Sequence, residues 1–284
     1  MLRVRSRPVP LRLLDDRDLP EVLGICAADP VANVFVESRV RAFGLDPGRL
    51  GAQMWGHPSE GQLTSLCYAG ANLVPVNADS AAIAAFADRA MRYGRRCSSV
   101  VGPADQVAEL WAHLRQTWGP PRDLRPDQPV MAIEGPPAVP EDPGVRRVRP
   151  DELDILMPAC IAMFTEEVGV SPLGSDSGAA YRARVSELVR LGRAFARFEN
   201  NQVVFKAEVG AVTPGVCQIQ GVWVRPSHRG RGLAPPGMAA VVTQAERSIS
   251  PLVSLYVNDY NLPARATYTR AGFTQVGRFM SVLF

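Results

Sequence analysis

From Leu19 to Gly44 the stretch LPEVLGICAADPVANVFVESRVRAFG repeats its apolar positions every three to four residues, the spacing of an amphipathic helix. Pro30 lacks the N–H a helix interior needs, so two helices are expected there rather than one. A strand-like VPLRLL precedes them. Apolar segments LTSLCYAG and NLVPVN follow, then a helical SAAIAAFADRAMRYG, a strand SSVVG, a helix DQVAELWAHLRQTWG and a strand QPVMAIEG. Between Met131 and Arg146 the chain carries four prolines and two glycines, a composition that continues neither a helix nor a central strand. It marks a linker.

Beyond the linker the order of elements repeats. VRRVRP reads as a strand, ELDILMPACIAMFTEEVG and AAYRARVSELVRLG as helices, and RAFARFE, VVFKAEVGAV and CQIQGVWV as strands. Asn200-Asn201 and Pro214-Gly215 are turn pairs, so these three strands predict an antiparallel meander. A helix from about Pro235 to Ser248, a strand LVSLYVND, a helix LPARATYTRAG and a strand TQVGRFMSVLF close the chain. The predicted class is α/β, or α+β, with a mixed sheet in each of two domains, residues 1–134 and 145–284.

Composition narrows the function classes. With 284 residues, 46% hydrophobic and 21% charged, the chain supports two ordinary cores. A net charge of +3, scattered rather than clustered, gives no reason to expect nucleic acid as a partner. No segment reaches the roughly 18 apolar residues of a membrane span, and the N-terminus is broken by prolines and acids too early for a signal peptide. The expectation is a cytoplasmic protein without a membrane partner. Cys26, Cys67, Cys97, Cys160 and Cys217 show no CxxC spacing, so buried core thiols are expected and no metal. Arginine supplies nearly all the positive charge, with Lys206 the only lysine, a bias typical of GC-rich bacterial coding sequences.

The chemistry concentrates in Val222-Trp223-Val224-Arg225-Pro226-Ser227-His228-Arg229-Gly230-Arg231-Gly232-Leu233-Ala234-Pro235-Pro236. An apolar strand enters a basic, glycine-rich turn, which opens a helix whose early prolines suit positions without N–H partners. Glycines at 230 and 232 let backbone approach an anion, and the helix N-terminus with Arg229 and Arg231 favours negative charge. Read alone, the stretch fits a phosphate cradle and a plain strand-to-helix turn with solvated arginines equally well.

Arg229-x-x-Gly232-x-Ala234 resembles the R/Q-x-x-G-x-G/A signature of the GNAT N-acetyltransferase superfamily, and LYVNDYNLPARATYTRAGF, from Leu255 to Phe273, is similar to that family's second CoA-binding motif. The resemblance covers roughly Val145 to Phe284. It implies acetyl-CoA, or another acyl-CoA, as cosubstrate, with Val222, Trp223 and Val224 along the pantetheine arm. Arg229, Gly230, Arg231, Gly232, Leu233 and Ala234 would hold the pyrophosphate, and Asn261 would bond the cofactor, with a helix-capping role open beside it. It also implies Tyr268 as general acid toward the CoA sulfur. A tyrosine near pKa 10 can assist departure of a thiolate whose conjugate acid has a pKa of about 8.5. Core packing is the other role open to Tyr268. Glu208, Glu166 and Glu167 are candidate bases, none singled out, and His228 reads as a loop residue.

The N-terminal half shares the order of elements but follows NLVPVN with Ala78-Asp79-Ser80-Ala81-Ala82, an acid where phosphates would sit. It reads as a degenerate GNAT-like domain that binds no CoA. Tandem arrangements of this bacterial, actinobacterial kind resemble mycothiol synthase and the glycine N-acyltransferase group. Trp55, Trp111 and Trp118 are expected in its core rather than in a pocket. The expected function is acyl transfer to an amine-bearing acceptor of unstated identity by direct attack in a ternary complex. A protein N-acetyltransferase and a noncatalytic acyl-CoA sensor stand as alternatives, and the oligomeric state is not readable.

Overall fold

The structure, a computed structural model, describes residues 11–174 and 178–284. The first two residues of VPLRLL therefore lie outside the described residues. The chain divides into two units: the chain up to Val130 together with Val276–Phe284, and Met131–Gln275.

The first unit runs β1 (Arg12–Leu13), α1 (Leu19–Cys26), α2 (Pro30–Phe43), α3 (Pro47–Leu50), β2 (Gln53–His57), β3 (Ser65–Ala69), β4 (Asn72–Val76), α4 (Ser80–Tyr93), β5 (Ser99–Pro103) and α5 (Ala104–Trp118). Pro30 does split the helical stretch: it is the first residue of α2, and the Asp29 side chain caps the helix by accepting from the Ala32 amide at 3.0 Å. β1 to β4 pair antiparallel in order, and β5 then adds parallel to β4. β6 (Asp123–Glu134) carries the chain toward the second unit. It extends the strand expected from Gln128 and tolerates Pro126 and Pro129 within its length. β2 and α3 have no counterpart in the sequence pattern, being four or five residues long and too short to show a period.

The last strand, β12 (Thr274–Leu283), completes the first unit rather than the second. It runs antiparallel to β5 from Phe279 opposite Pro103 to Leu283 opposite Ser99. Met280 and Val282 thereby join a core with Phe86, Val100 and Leu110. The units thus differ at the C-terminus from a division at residues 134 and 145, because burying alternate residues of β12 outweighs continuity along the chain. Trp55 and Trp111 are buried in the same core, and Trp111 and Trp118 both pack edge-on to Phe284.

The second unit contains β7 (Val145–Arg147), α6 (Leu153–Val168), α7 (Ala179–Arg190), β8 (Ala194–Glu199), β9 (Gln202–Val212), β10 (Val216–Val224), α8 (Ala234–Ser248), β11 (Leu252–Tyr256) and α9 (Leu262–Ala271). The expected meander is present: β7, β8, β9 and β10 pair antiparallel, with Asn200 and Asn201 at φ 48° and 59° in the β8–β9 turn. β11 then joins parallel to β10. One face of the sheet packs Phe205, Ile219 and Val253 against Met238 and Val242 of α8, and the other packs Ala196 and Val203 against Cys160 of α6 and Leu188 of α7. Both units therefore hold four antiparallel strands followed by a parallel fifth.

The five cysteines are free and buried, and burial pushes their thiols up, Cys97 to about 11 and Cys26 to about 12. Among the described residues no helix is long and apolar enough to cross a membrane.

The start of α6 is fixed by Glu152. Its carboxylate takes two hydrogen bonds from Arg146 of β7, at 2.6 and 2.8 Å, and one from the Arg149 amide at 2.9 Å. The Arg146 guanidinium is the main cause that holds its pKa at about 2, below the usual 4.5, against the opposing effect of burial. A depressed carboxylate contributes stability that is complete above about 4.5 and is lost as pH falls toward 2. Glu152→Gln should lower stability at pH 7 by about 1 to 3 kcal/mol and flatten the acid limb of a denaturation series. An acid limb identical in variant and wild type would assign that stability elsewhere.

Candidate acyl-CoA site

β10 and β11 are hydrogen-bonded neighbours only from Val216 opposite Leu252 to Gln218 opposite Ser254. Beyond that, β10 continues to Val224 with β9 alone as its partner, which leaves one edge without a ladder. The Val224 carbonyl points away from β9, since it accepts from Arg229 Nε at 2.9 Å. N–H and C=O of one strand residue face the same side, so the Val224 amide faces that way too.

The chain then passes through a 3-10 turn, Pro226–His228, into the glycine loop and α8. Gly230 and Gly232 sit at φ +72° and +75°, left-handed values that favour glycine, and a Cβ on either would meet no atom within 4 Å. α8 begins with Leu233 at its N-cap, no side-chain cap, and Pro235 and Pro236 in its first turn. Among the described residues the amides of 230–234 have no backbone acceptor. Five N–H groups without a backbone acceptor thus lead into an uncapped helix start, features that favour an anion.

These parts line one cleft of about 710 Å³. Of the expected site residues, Val222, Trp223, Val224, Arg229, Gly230, Gly232, Leu233, Ala234, Asn261 and Tyr268 border it, and Arg231 does not. Arg231 is exposed outside the cleft, and its side chain takes part in no ion pair among the described residues. Arg229 is already engaged: besides the Val224 carbonyl it holds Glu166 of α6 at 2.6 Å. Glu166 also accepts from the Trp223 indole at 3.2 Å, so one carboxylate ties α6 to both strand and loop. The sequence pattern marked Glu166 as a possible base but carried no sign of this bracing role. Asn261 caps α9, its Oδ1 accepting from the Ala264 amide at 3.2 Å, and still borders the cleft.

α9 turns Ala264, Thr267 and Tyr268 toward the cleft, and the first of these is small, which keeps the wall close to the strand edge. The Tyr268 ring is buried and lies edge-on to Phe273 at 6.0 Å. Among the described residues its hydroxyl has no hydrogen-bond partner. Burial, with the Glu167 carboxylate adding to it, pushes its pKa above the usual 10, so it is protonated at neutral pH. His228 borders the loop and faces Glu199 at 3.4 Å.

Residues 177–273 match the model of the Acetyltransferase (GNAT) family, and residues 52–156 match a Domain of unknown function, DUF4081. No curated protein matches the chain. A GCN5-related N-acetyltransferase from Sphaerobacter thermophilus is similar at 20% identity over 96% of this chain and 94% of that one, with a TM-score of 0.59. An acetyltransferase from the GNAT family of Colwellia psychrerythraea aligns at 11% identity over 97% and 99%, with a TM-score of 0.57. A tandem GNAT protein from the clavulanic acid biosynthesis pathway aligns at 17% identity over 96% and 98%, also at 0.57. The fold is that of the GNAT acetyltransferases. At these identities the likeness to solved structures concerns the fold alone.

Gly232→Ala isolates the turn ahead of α8, because the new methyl group meets open space while the backbone stays left-handed. It should cost about 1 to 2 kcal/mol of unfolding free energy in chemical denaturation. An unchanged midpoint would show that Gly232 does not hold the left-handed conformation.

Proposed function

We propose that the chain is an acyl-CoA-dependent N-acyltransferase, with acetyl as the expected group, acting on an amine in a ternary complex. The observation that carries this reading is the continuity of the cleft: open loop amides at one end, an unpaired strand edge along it, and the Tyr268 hydroxyl bordering it. A phosphate, an extended amide-bearing arm and a sulfur would each find one of those three features. The residues present fit acyl-CoA.

A bound acyl thioester supplies an activated carbonyl and a thiolate leaving group. The amides of 230–234 orient its phosphates, and the β10 edge adds the arm as a strand would be added. Tyr268 holds a proton at Oη for the departing sulfur. Because burial makes Tyr268 a weaker acid, its help is hydrogen-bond donation to the developing thiolate more than complete transfer. The amine nitrogen forms its bond to the carbonyl carbon and the C–S bond breaks, the sulfur leaving as a thiolate that Tyr268 hydrogen-bonds and the amine proton passing to water.

The N-terminal unit supports a degenerate partner in this reading. It repeats the strand arrangement, yet Asp79 caps α4 by accepting from the Ala82 amide at 2.8 Å, filling with a carboxylate the position α8 leaves bare. Pro75 in β4 also removes a backbone donor. One acyl-CoA site per chain follows, with the acceptor a small amine or a protein amine.

Calorimetry should give one CoA site per chain. Arg231→Ala should weaken CoA by no more than about fivefold, or about 1 kcal/mol, an exposed-charge effect that added salt erases. Arg229→Ala should weaken both CoA and pantetheine, since it unties Val224 and Glu166. Two equivalent sites, or an Arg229→Ala loss limited to CoA, would contradict this division of roles.

Tyr268→Phe keeps the ring against Phe273 and removes only the hydroxyl. Once an acceptor is in hand, the single-turnover rate should fall about 100- to 10,000-fold, or roughly 3 to 5.5 kcal/mol, with CoA affinity kept. An unchanged rate, with acyl transfer limiting, would make the hydroxyl structural.

A further inference from the structure

Lys206 is the only lysine in a chain that uses arginine for every other basic aliphatic side chain, and its side chain is 0% exposed. Burying an ammonium is costly unless each of its bonds is placed, so the position calls for a reason. The register of β9 and β10 supplies one. Gln220 lies opposite Glu208 and Trp223 opposite Lys206, so β10 uses Gly221 and Val222 where β9 has only Ala207. That is a β-bulge, which leaves backbone groups of the extra residue outside the ladder and bends the strand.

Lys206 takes the group left over. Its Nζ donates to the Gly221 carbonyl at 2.9 Å and to Glu208 Oε1 at 2.6 Å. Residues 206 and 208 share a strand face, so the pair spans the bulge from beneath. Gly221 is at φ +60°, and a Cβ there would lie 3.1 Å from the ammonium and 3.2 Å from Glu208 Oε2, so bulge and pair are fitted to each other. Cys160 of α6 donates weakly to the same Glu208 oxygen at 3.5 Å. Burial pulls the ammonium toward neutrality, but Glu208, with Cys160 and Glu167 adding to it, more than offsets this and Lys206 stays charged. A compact ammonium can reach a carbonyl and a carboxylate in diverging directions, which the planar fork of arginine does poorly.

The bulge immediately precedes the edge of β10 that walls the cleft. We infer that Lys206 is a positioning residue for the cosubstrate: its ammonium ties the bulge carbonyl of Gly221 to Glu208 and so sets Val222–Val224 at the angle the pantetheine arm requires. This rests on the acyl-CoA reading for the identity of the ligand. It predicts that the strand edge braced by Lys206 can be disturbed with the turn of the phosphate loop kept, because that turn is set by Gly230 and Gly232 and meets the edge through Arg229 at the Val224 carbonyl.

The test uses the full chain and three probes in calorimetry: CoA, pantetheine, and 3′,5′-ADP. Lys206→Met should weaken CoA and pantetheine at least tenfold, about 1.4 kcal/mol, while 3′,5′-ADP stays within about twofold of wild type. A general loosening of the domain would weaken all three and overturn the inference. Because Lys206→Met strands a buried carboxylate, Lys206→Met with Glu208→Met removes both charges and keeps the volume apolar. The double variant should show the same selective loss, and wild-type pantetheine affinity in it would also overturn the inference. On the wild type, selective nitrogen-15 lysine labelling gives a single ammonium resonance, which pantetheine should shift and 3′,5′-ADP should leave nearly in place. A resonance insensitive to pantetheine counts against the role even where the variants fail to fold. A wild-type chain that binds none of the probes would sink the acyl-CoA reading itself, whereas binding by wild type and double variant alike would sink only the role of Lys206.

Discussion

Parallel strands at the centre of a sheet gain by pairing along their whole length, so the end of the β10–β11 ladder at Gln218 and Ser254 is the constraint from which the site follows. A strand that stops pairing leaves N–H and C=O groups that must find other partners. Here the Val224 carbonyl finds the Arg229 side chain, and the amide stays available to a ligand. One bulge in the β9–β10 register sets Gly221 and Val222 of β10 against Ala207, a bend ahead of the free edge, while the other has its extra residue, Gly210, on β9; α8 starts beyond that edge. Remove the divergence and the helix N-terminus would face a closed sheet.

The two units show what the same arrangement does with and without that opening. In each, a fourth strand leads into a helix: β4 into α4, and β10 into α8. In the first, Asn77 turns at φ 48°, the Ala78 amide bonds Gln106 at 3.0 Å, and Asp79 caps the helix. The Ala78 and Ala82 amides thus have side-chain acceptors, and the Asp79 carboxylate would repel a phosphate. In the second, glycines replace the capping acid, prolines delete two donors that would otherwise be idle, and the remaining amides stay unspent. The difference between the two turns is therefore one of capping, with topology unchanged, and the uncapped one is the one the proposed reading gives to a phosphate.

Most of this was legible where local chemistry decides the structure. Pro30 at a helix start, the Asn200-Asn201 turn and the prolines after Ala234 are constraints a residue carries by itself, and each appears where the pattern put it. The glycine turn ahead of α8 was legible for the same reason, since Gly230, Gly232 and the helix start are neighbours in sequence. What the pattern could not show were partners chosen in three dimensions. β12 reads as a strand, but nothing in its alternation says that β5 would be its neighbour. Arg229 reads as a phosphate ligand until Glu166, 63 positions earlier, is found holding it. Lys206 reads as one charge in a strand, because a bulge in another strand is invisible to the periodicity of its own. Short elements such as β2 and α3 fail differently, having too few residues to express a period.

Tyr268 joins these threads, because its acid strength is set by the same burial that places it. A hydroxyl left in water would keep a pKa near 10 and share its proton with solvent. Enclosed by the core around Phe273 and with the Glu167 charge adding to the effect, it is held protonated, and among the described residues it has no acceptor of its own. The hydroxyl thus keeps a donor for whatever occupies the cleft that Tyr268 borders. In the proposed reaction an acceptor whose charge grows gains more from that donor than one whose charge is fixed, so the arrangement would favour a developing anion over a ground-state ligand. On that reading Tyr268, too weak an acid to give up its proton at neutral pH, would serve the leaving sulfur as a hydrogen-bond donor.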